Sequence, residues 1–160
     1  MSERGAFTRV RGGGFSLRLN PEERALVARL LDELAALLTE QVDPTMTERL
    51  FPVVHPNDPD QEAEYQRLMR DELVASRLAG IATVKEVLAG QGNGKKVTFD
   101  EDQLVAFMQA LNGVRLVLGT ILDITDDDED QAESALVPEY QLYAYLSWVL
   151  DSAVHALSSI

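Results

Sequence analysis

The stretch from Arg9 to Leu34, "RVRGGGFSLRLNPEERALVARLLDEL", changes its hydrophobic period at Asn20. Before Asn20, apolar and polar residues alternate around three glycines, which is typical of a half-buried β-hairpin because successive side chains of a strand point to opposite faces. After Pro21, leucines recur every three or four residues, which is the period of an amphipathic helix. The sequence therefore predicts a hairpin that leads directly into a helical domain.

The hairpin is predicted to turn at Gly12-Gly13. This turn pairs three couples across the strands: Val10 with Phe15, Thr8 with Leu17, and Ala6 with Leu19. The opposite face then carries Phe7, Arg9, Arg11, Ser16 and Arg18. A turn at Gly13-Gly14 is less favourable because it sets Arg9 opposite Arg18. Since an isolated hairpin is marginal in water, we expect its apolar face to pack on the helices.

The first two helices have clear N-terminal signals. In the first, Asn20 is a capping residue and Pro21 occupies the first helical position. Its core face consists of Leu26, Leu30, Leu34 and Leu37, flanked by Val27, Leu31 and Leu38. A proline-containing connector over 42–58 ends at Asp58, which caps a second helix that runs to about Leu88. Its pattern is interrupted at Ser76 and Gly80, which are candidate kink positions.

The second half of the chain predicts two more long helices. Asp100 and Gln103 resemble a capping box at the start of the third, which is apolar nearly all round from Val114 to Ile124 and should be the most buried element. Pro138 begins the last helix, which runs through Leu157. The acidic run 126–130 between them cannot pack and predicts a mobile loop. We therefore expect a mainly α single domain over 1–160, a four- or five-helix bundle with an N-terminal β-hairpin at about 6–19 packed on it and a mobile loop at about 125–136.

Charge and composition restrict the functional classes. The chain of 160 residues has 14 Lys and Arg against 27 Asp and Glu, a net charge of −13, and no cysteine. Thiol catalysis, thiolate metal sites and disulfides are therefore excluded. No apolar run approaches the length of a membrane span and no signal peptide is evident, so we expect a cytoplasmic protein with no membrane partner. An acidic body repels nucleic acid, so any DNA contact must be local.

The hairpin arginines Arg9, Arg11 and Arg18 are candidate DNA- or partner-binding residues. A β-ribbon with basic side chains on one face can contact phosphates or bases, whereas the structural alternative is a solvated face or salt bridges to the acidic body. The glycines do not predict a phosphate cradle, because no Lys-Ser or Lys-Thr follows them and the chain continues as a strand instead of a helix.

Three other patterns do not predict sites. "LAGIATVKEVL" (78–88) imitates a helix-turn-helix, but its turn is about two residues too short. The run 126–137 lacks the glycine and the final glutamate of a calcium loop. His55 and His155 have no second histidine at metal spacing and no acid–base constellation. We therefore expect a non-enzymatic protein without cofactor or metal.

Arg115 and the aromatic residues of the last helix are candidate interface residues. A charge on the apolar third helix needs a partner, either Asp71 or Glu72 on the second helix or a group across a protein interface. The last helix holds four aromatics within nine residues: Tyr140, Tyr143, Tyr145 and Trp148. Because positions 143 and 145 point about 200° apart on a helix, the aromatics cannot all face one core. We select Tyr143, Trp148 and Arg115 as a surface for another protein or a second copy of the chain.

The order of segments resembles an actinobacterial domain-of-unknown-function family that includes oxidative-stress transcription regulators of the AosR type. The matching segments are "FSLRLNPEERALVARLLDEL", "LFP", "DPDQEAEYQRLMRDEL" and "ALNGVRLVLGTIL", followed by the aromatic last helix. The resemblance implies an intracellular, non-enzymatic protein that acts on transcription through a sigma factor or RNA polymerase, with promoter DNA as a further candidate. A redox mechanism based on paired cysteines cannot operate in this chain. The alternative function is a small-molecule-binding sensor bundle, with a pocket lined by the third helix.

Overall fold

The computed structural model describes residues 5–40, 44–90, 97–122 and 138–158. These residues form four α-helices, one 3-10 helix and three short strands. In chain order they are β1 (Phe7–Arg9), β2 (Phe15–Leu17), α1 (Pro21–Glu40), the 3-10 helix (Pro44–Leu50), α2 (Pro59–Gly90), β3 (Val97–Phe99), α3 (Glu101–Leu122) and α4 (Pro138–Ser158). The predicted class, a mainly α bundle with a small N-terminal β element packed on it, is confirmed. The predicted acidic loop at 125–136 lies outside the described residues.

Helix α3 is the central element of the bundle. It packs against α1, α2, α4 and the 3-10 helix, and it has the largest set of buried residues of any helix described. Leu104, Phe107 and Leu111, one turn apart, are fully buried. By length and hydropathy α3 could cross a membrane, but half of its most apolar window is buried inside the domain. Its apolar surface is therefore the core that the sequence predicts.

The predicted starts of α1, α2 and α3 are confirmed by capping side chains, and the caps of α1 and α3 are reciprocal. Asn20 Oδ1 accepts from the Glu23 amide at 2.8 Å, and Glu23 Oε1 accepts from the Asn20 amide at 3.1 Å. Asp100 and Gln103 exchange the same two bonds at α3, both at 2.8 Å. Asp58 Oδ1 accepts from the Gln61 amide at 3.0 Å at the start of α2. Each cap satisfies backbone donors that have no partner within the helix.

The sheet contains a third strand that the sequence does not predict. The strand order is β1-β2-β3 with antiparallel pairing, so β2 is central. Phe99 of β3 meets Phe7 of β1 and Phe107 of α3, with ring centroids 5.8 and 5.3 Å apart. These three rings attach the sheet to the bundle, as expected for a hairpin too small to be stable alone.

The predicted hairpin register is wrong by one residue. The observed pairs are Phe7 with Leu17, Thr8 with Ser16, and Arg9 with Phe15. Gly14 joins Gly12 and Gly13 at positive φ, with values of 91°, 92° and 112° respectively. The turn therefore becomes a three-residue loop, Arg11–Gly13, closed by hydrogen bonds between Val10 and Gly14 and between Gly13 and Val10.

This register changes which side chains share a face. Directly opposite residues of an antiparallel pair point to the same side, so Arg9 lies on the face of Phe7, Phe15 and Leu17. Arg18 lies on the other face, where its Nη1 donates to Thr8 Oγ1 at 3.2 Å. The predicted single basic face is therefore wrong: the arginines surround the hairpin instead of lining one side of it.

Two further features concern the connector and helix α2. The predicted connector contains the 3-10 helix, and Leu50 and Phe51 at its end are buried in the core. Helix α2 continues through Ser76 and Gly80 to Gly90. The segment 78–88, which imitates a helix-turn-helix in sequence, is therefore part of one uninterrupted helix, in agreement with the expectation.

Candidate functional site

The ribbon tip, defined as residues 9–14, comprises the last residue of β1 and the glycine turn that leads into β2. The Val10 amide donates to the Gly14 carbonyl at 2.9 Å, and the Gly13 amide donates to the Val10 carbonyl at 3.0 Å. Arg9, Val10 and Arg11 are exposed. Glycine at three successive positive-φ positions lets the chain reverse without a side chain blocking access to these arginines.

The tip arginines have no acidic counterpart in the described part of the chain. Arg9 lies over the Phe15 ring, with 5.2 Å from its guanidinium carbon to the ring centroid. The ion pairs found in the described ranges are Arg67 with Glu64 and Lys85 with Asp32, both far along the sequence from the ribbon. The stacking on Phe15 holds Arg9 in place while its donors remain available, since a cation–π contact uses the face of the guanidinium or its charge, not its N–H groups.

Arg18 lies at the base of the ribbon, apart from the tip. Its amide donates to the Ala6 carbonyl at 2.7 Å, which continues the strand pairing beyond β2. The neighbouring Gly5 lies directly against α4: a Cβ built at Gly5 would be 2.8 Å from Ser152 Oγ. Arg18 therefore belongs to the region where the ribbon meets α4, and it does not extend the basic tip.

Trp148 is the exposed aromatic of α4. Its side chain is 42% exposed and its ring centroid is 5.9 Å from that of Tyr145. Tyr145 Oη donates to Glu23 Oε2 on α1 at 2.9 Å, and burial, together with this carboxylate, raises the pKa of the Tyr145 hydroxyl. Ser152 Oγ donates to the Trp148 carbonyl at 2.9 Å. Trp148 thus stands on a rigid support at the ribbon base, which is the arrangement that favours aromatic interface residues.

Tyr143 points to another side of α4, toward α3 and Arg115. The Arg115 guanidinium carbon is 5.9 Å from the Tyr143 ring centroid. Arg115 Nη1 donates to Ser147 Oγ at 3.2 Å and its Nη2 donates to Asn112 Oδ1 at 3.0 Å. The expected bridge to Asp71 or Glu72 is not observed, because Arg115 faces α4 and α2 packs on a different side of α3.

An open groove of about 300 Å³ lies between α2 and α3. Helix α2 contributes Leu73, Ser76, Arg77, Gly80 and Ile81, and α3 contributes Ala106, Gln109, Ala110 and Asn112, while Leu34 and Leu50 complete the lining. The groove adjoins Arg115 through Asn112, but its lining is polar and apolar in similar measure. The groove is lined by α3, as the pocket of the small-molecule-binding alternative would be, and ligand binding there stays a prediction.

The structure groups the predicted site residues into three places. Arg9 and Arg11 are at the ribbon tip, Arg18 and Trp148 belong to its base, and Arg115 with Tyr143 forms an internal contact between α3 and α4. The sequence did not single out Arg77 or Gln109. Ser76 and Gly80, which interrupt the apolar pattern of α2, are the small residues that open the groove. Their small size is the sequence feature that could have indicated a groove at this position.

The two histidines belong to none of these three places. His55 has its ring against Tyr65, with centroids 5.8 Å apart, and His155 is exposed near the end of α4. Across the described ranges, no group of three or more His, Asp or Glu side chains could hold a metal ion.

Fold and surfaces together define a helical-bundle domain that carries a basic β-ribbon and an exposed tryptophan. The model of the DUF2017 family, described as a domain of unknown function, matches residues 4–157. The chain belongs to this family. No curated protein and no solved structure matches it.

Proposed function

We propose that the protein is a non-enzymatic, cytoplasmic regulator of transcription that binds a protein partner through the ribbon tip and through Trp148. The observation that carries the proposal is the exposure of Arg9 and Arg11 on a chain of net charge −13, with no carboxylate paired to either in the described ranges. In such a chain, exposed arginines that do not pair internally remain available to an acidic surface elsewhere.

The nature of the partner comes from the resemblance to AosR-type oxidative-stress regulators. That resemblance favours a sigma factor or RNA polymerase as the partner. Charge also favours an acidic protein surface over DNA, because duplex DNA carries a denser line of negative charge and is therefore repelled more strongly by the acidic rest of the chain. Since the chain has no cysteine, a stress signal would have to reach the protein through its partner or a ligand, and not through thiol oxidation.

The test is binding of purified RNA polymerase from the native host, with and without sigma factor, to immobilised protein. The variant Arg9→Ala with Arg11→Ala removes the tip charges. Its matched control, Arg29→Ala with Arg67→Ala, removes two exposed arginines from α1 and α2 and changes the net charge equally. We expect the tip variant to weaken binding at least about tenfold, and the control to bind like the wild type.

Trp148→Ala tests the second contact, with Val154→Ala as its control because Val154 is also exposed on α4. Equal retention of polymerase by the wild type and both test variants would overturn the proposal. Retention of duplex DNA without polymerase, lost in the tip variant, would instead assign the ribbon to DNA.

A further inference from the structure

The groove between α2 and α3 combines an apolar floor with one cationic wall. Leu34, Leu73 and Ile81 provide apolar surface, and among the described residues of the lining Arg77 alone is charged. No Asp or Glu of the described ranges lines it, although the chain is strongly acidic. A volume of about 300 Å³ lies at the lower end of the range for small-molecule sites, which run from roughly 300 to 1,000 Å³.

Arg77 is held in the groove wall without a counter-ion from the described ranges. Its Nη2 donates to the Leu50 carbonyl at 3.3 Å, and burial lowers the pKa of its guanidinium. Gly113 of α3 leaves room for the Arg77 guanidinium, since a Cβ at position 113 would be 3.4 Å from Arg77 Nη1. An arginine remains protonated even when partly buried, so the groove contains a partly desolvated positive charge whose other N–H donors can serve a ligand.

Asn112 adds a second donor, and Arg115 determines its orientation. Arg115 Nη2 donates to Asn112 Oδ1 at 3.0 Å. Because a guanidinium has no acceptor, the amide atom that faces it must be the oxygen, so the Asn112 Nδ2 group remains to donate elsewhere. Arg77 and Asn112 line opposite walls of one groove, and each has a donor that the described contacts leave unused. Arg115 is a positioning residue for this pair.

We propose that this groove binds a small organic monocarboxylate, with its carboxylate at Arg77 and Asn112 and its apolar part against Leu34, Leu73 and Ile81. One guanidinium in the lining matches one negative charge, whereas a phosphate dianion would leave charge uncompensated inside an acidic protein. The site is independent of the ribbon tip and of Trp148, and the proposal does not rest on the function proposed above.

The probe is sodium hexanoate, added to ¹⁵N-labelled full-length protein at constant ionic strength, with hexanamide as the neutral isostere and sodium chloride as the ion control. We expect saturable amide shifts that cluster in 76–81 and 109–113. Hexanamide should bind at least about tenfold more weakly, because it lacks the charge-assisted bonds to Arg77. Chloride alone should not produce the shifts.

Two variants locate the site. Gly80→Leu fills the groove, since a Cβ at Gly80 meets no atom within 4 Å. Ala79→Leu is its control, because it adds the same side chain at the adjacent, exposed position of α2 that does not line the groove. We expect Gly80→Leu to abolish hexanoate binding and Ala79→Leu to retain it.

Arg77→Gln should reduce hexanoate binding to the level of hexanamide while leaving hexanamide binding unchanged. If Arg77→Gln does not fold, the Gly80→Leu and Ala79→Leu pair still decides the matter. The proposal is overturned if the wild type shows no saturable binding of hexanoate at millimolar concentrations, or if Gly80→Leu binds as tightly as Ala79→Leu.

Discussion

Tyr145 Oη donates a hydrogen bond to Glu23 Oε2 at 2.9 Å, while Glu23 Oε1 accepts from the Asn20 amide at 3.1 Å. One carboxylate therefore closes the cap of α1 and also attaches α4 to it across 122 residues of chain. Trp148 stacks on the same tyrosine. The support of the exposed tryptophan is thus part of the packing between the first and last helices.

Tyr145→Phe should destabilise the protein by about 1 kcal/mol, because it removes the bond to Glu23 while leaving the ring in place. Chemical denaturation measures this change. Glu23→Gln is the companion variant: its single amide oxygen can still accept from the Asn20 amide, whereas the Nε2 group can only donate to Tyr145 Oη, so the charge-assisted bond from the tyrosine is lost. A Tyr145→Phe protein as stable as the wild type would show that this hydrogen bond makes no net contribution to the free energy of unfolding.

The same contact predicts a dependence of stability on alkaline pH. Burial and the Glu23 carboxylate raise the pKa of Tyr145 above its ordinary value of about 10. Below about pH 10 both folded and unfolded states carry the proton and the contribution is complete; above it the unfolded state loses its proton first, so the free energy of unfolding falls. Denaturation midpoints measured across this range should fall more steeply for the wild type than for Tyr145→Phe.

Glu62 should control the conformation of the connector at acid pH. Its carboxylate accepts from the amides of Val54 at 3.0 Å and His55 at 2.7 Å, and from Gln66 Nε2 at 2.7 Å. These bonds, the one from Gln66 foremost, lower the pKa of Glu62. The contribution is therefore present above the ordinary glutamate value of about 4.3 and is lost as pH falls through the lowered value.

An NMR titration tests this expectation through the amide resonances of Val54 and His55. Both should move together with a common midpoint below about 4.3. In Glu62→Gln the common transition should disappear, and independent midpoints in the wild type would contradict the assignment.

Gly14→Ala should be more damaging than Gly12→Ala, although both glycines have positive φ. A Cβ at Gly14 would be 3.2 Å from the Phe99 carbonyl oxygen, whereas one at Gly12 meets nothing within 4 Å. We expect losses of about 2 and about 1 kcal/mol respectively, measured by denaturation. Equal losses of stability would indicate that the Phe99 backbone shifts to accommodate the added Cβ.

Phe107→Ala should cost about 3–5 kcal/mol, because Phe107 is fully buried between Phe7 and Phe99. Val105→Ala on the same helix is the control, since Val105 is 40% exposed and should cost under about 1 kcal/mol. Differential scanning calorimetry of both variants checks the difference. Similar melting temperatures would mean that the three-ring cluster does not attach the sheet to the bundle.

Helix boundaries were predictable because their causes are local. Asn20, Asp58 and Asp100 each accept a hydrogen bond from a backbone amide three residues further on. A few neighbouring residues are therefore enough to locate the start of each helix. The central position of α3 was equally predictable, since a helix that is apolar on most sides must be enclosed by others.

Register, partners and cavities depended on contacts between distant segments. The hairpin forms against a third strand that its local sequence does not reveal: Gly14 lies against Phe99, more than eighty positions away, and β2 pairs with β3. The partners of Arg115 were likewise decided by which helix packs on which side of α3. The donors of the groove, Arg77 and Asn112, come from two helices whose pairing no local pattern encodes. Capping and periodicity act over one or two helical turns, whereas strand pairing and side-chain partners arise only when the whole chain packs.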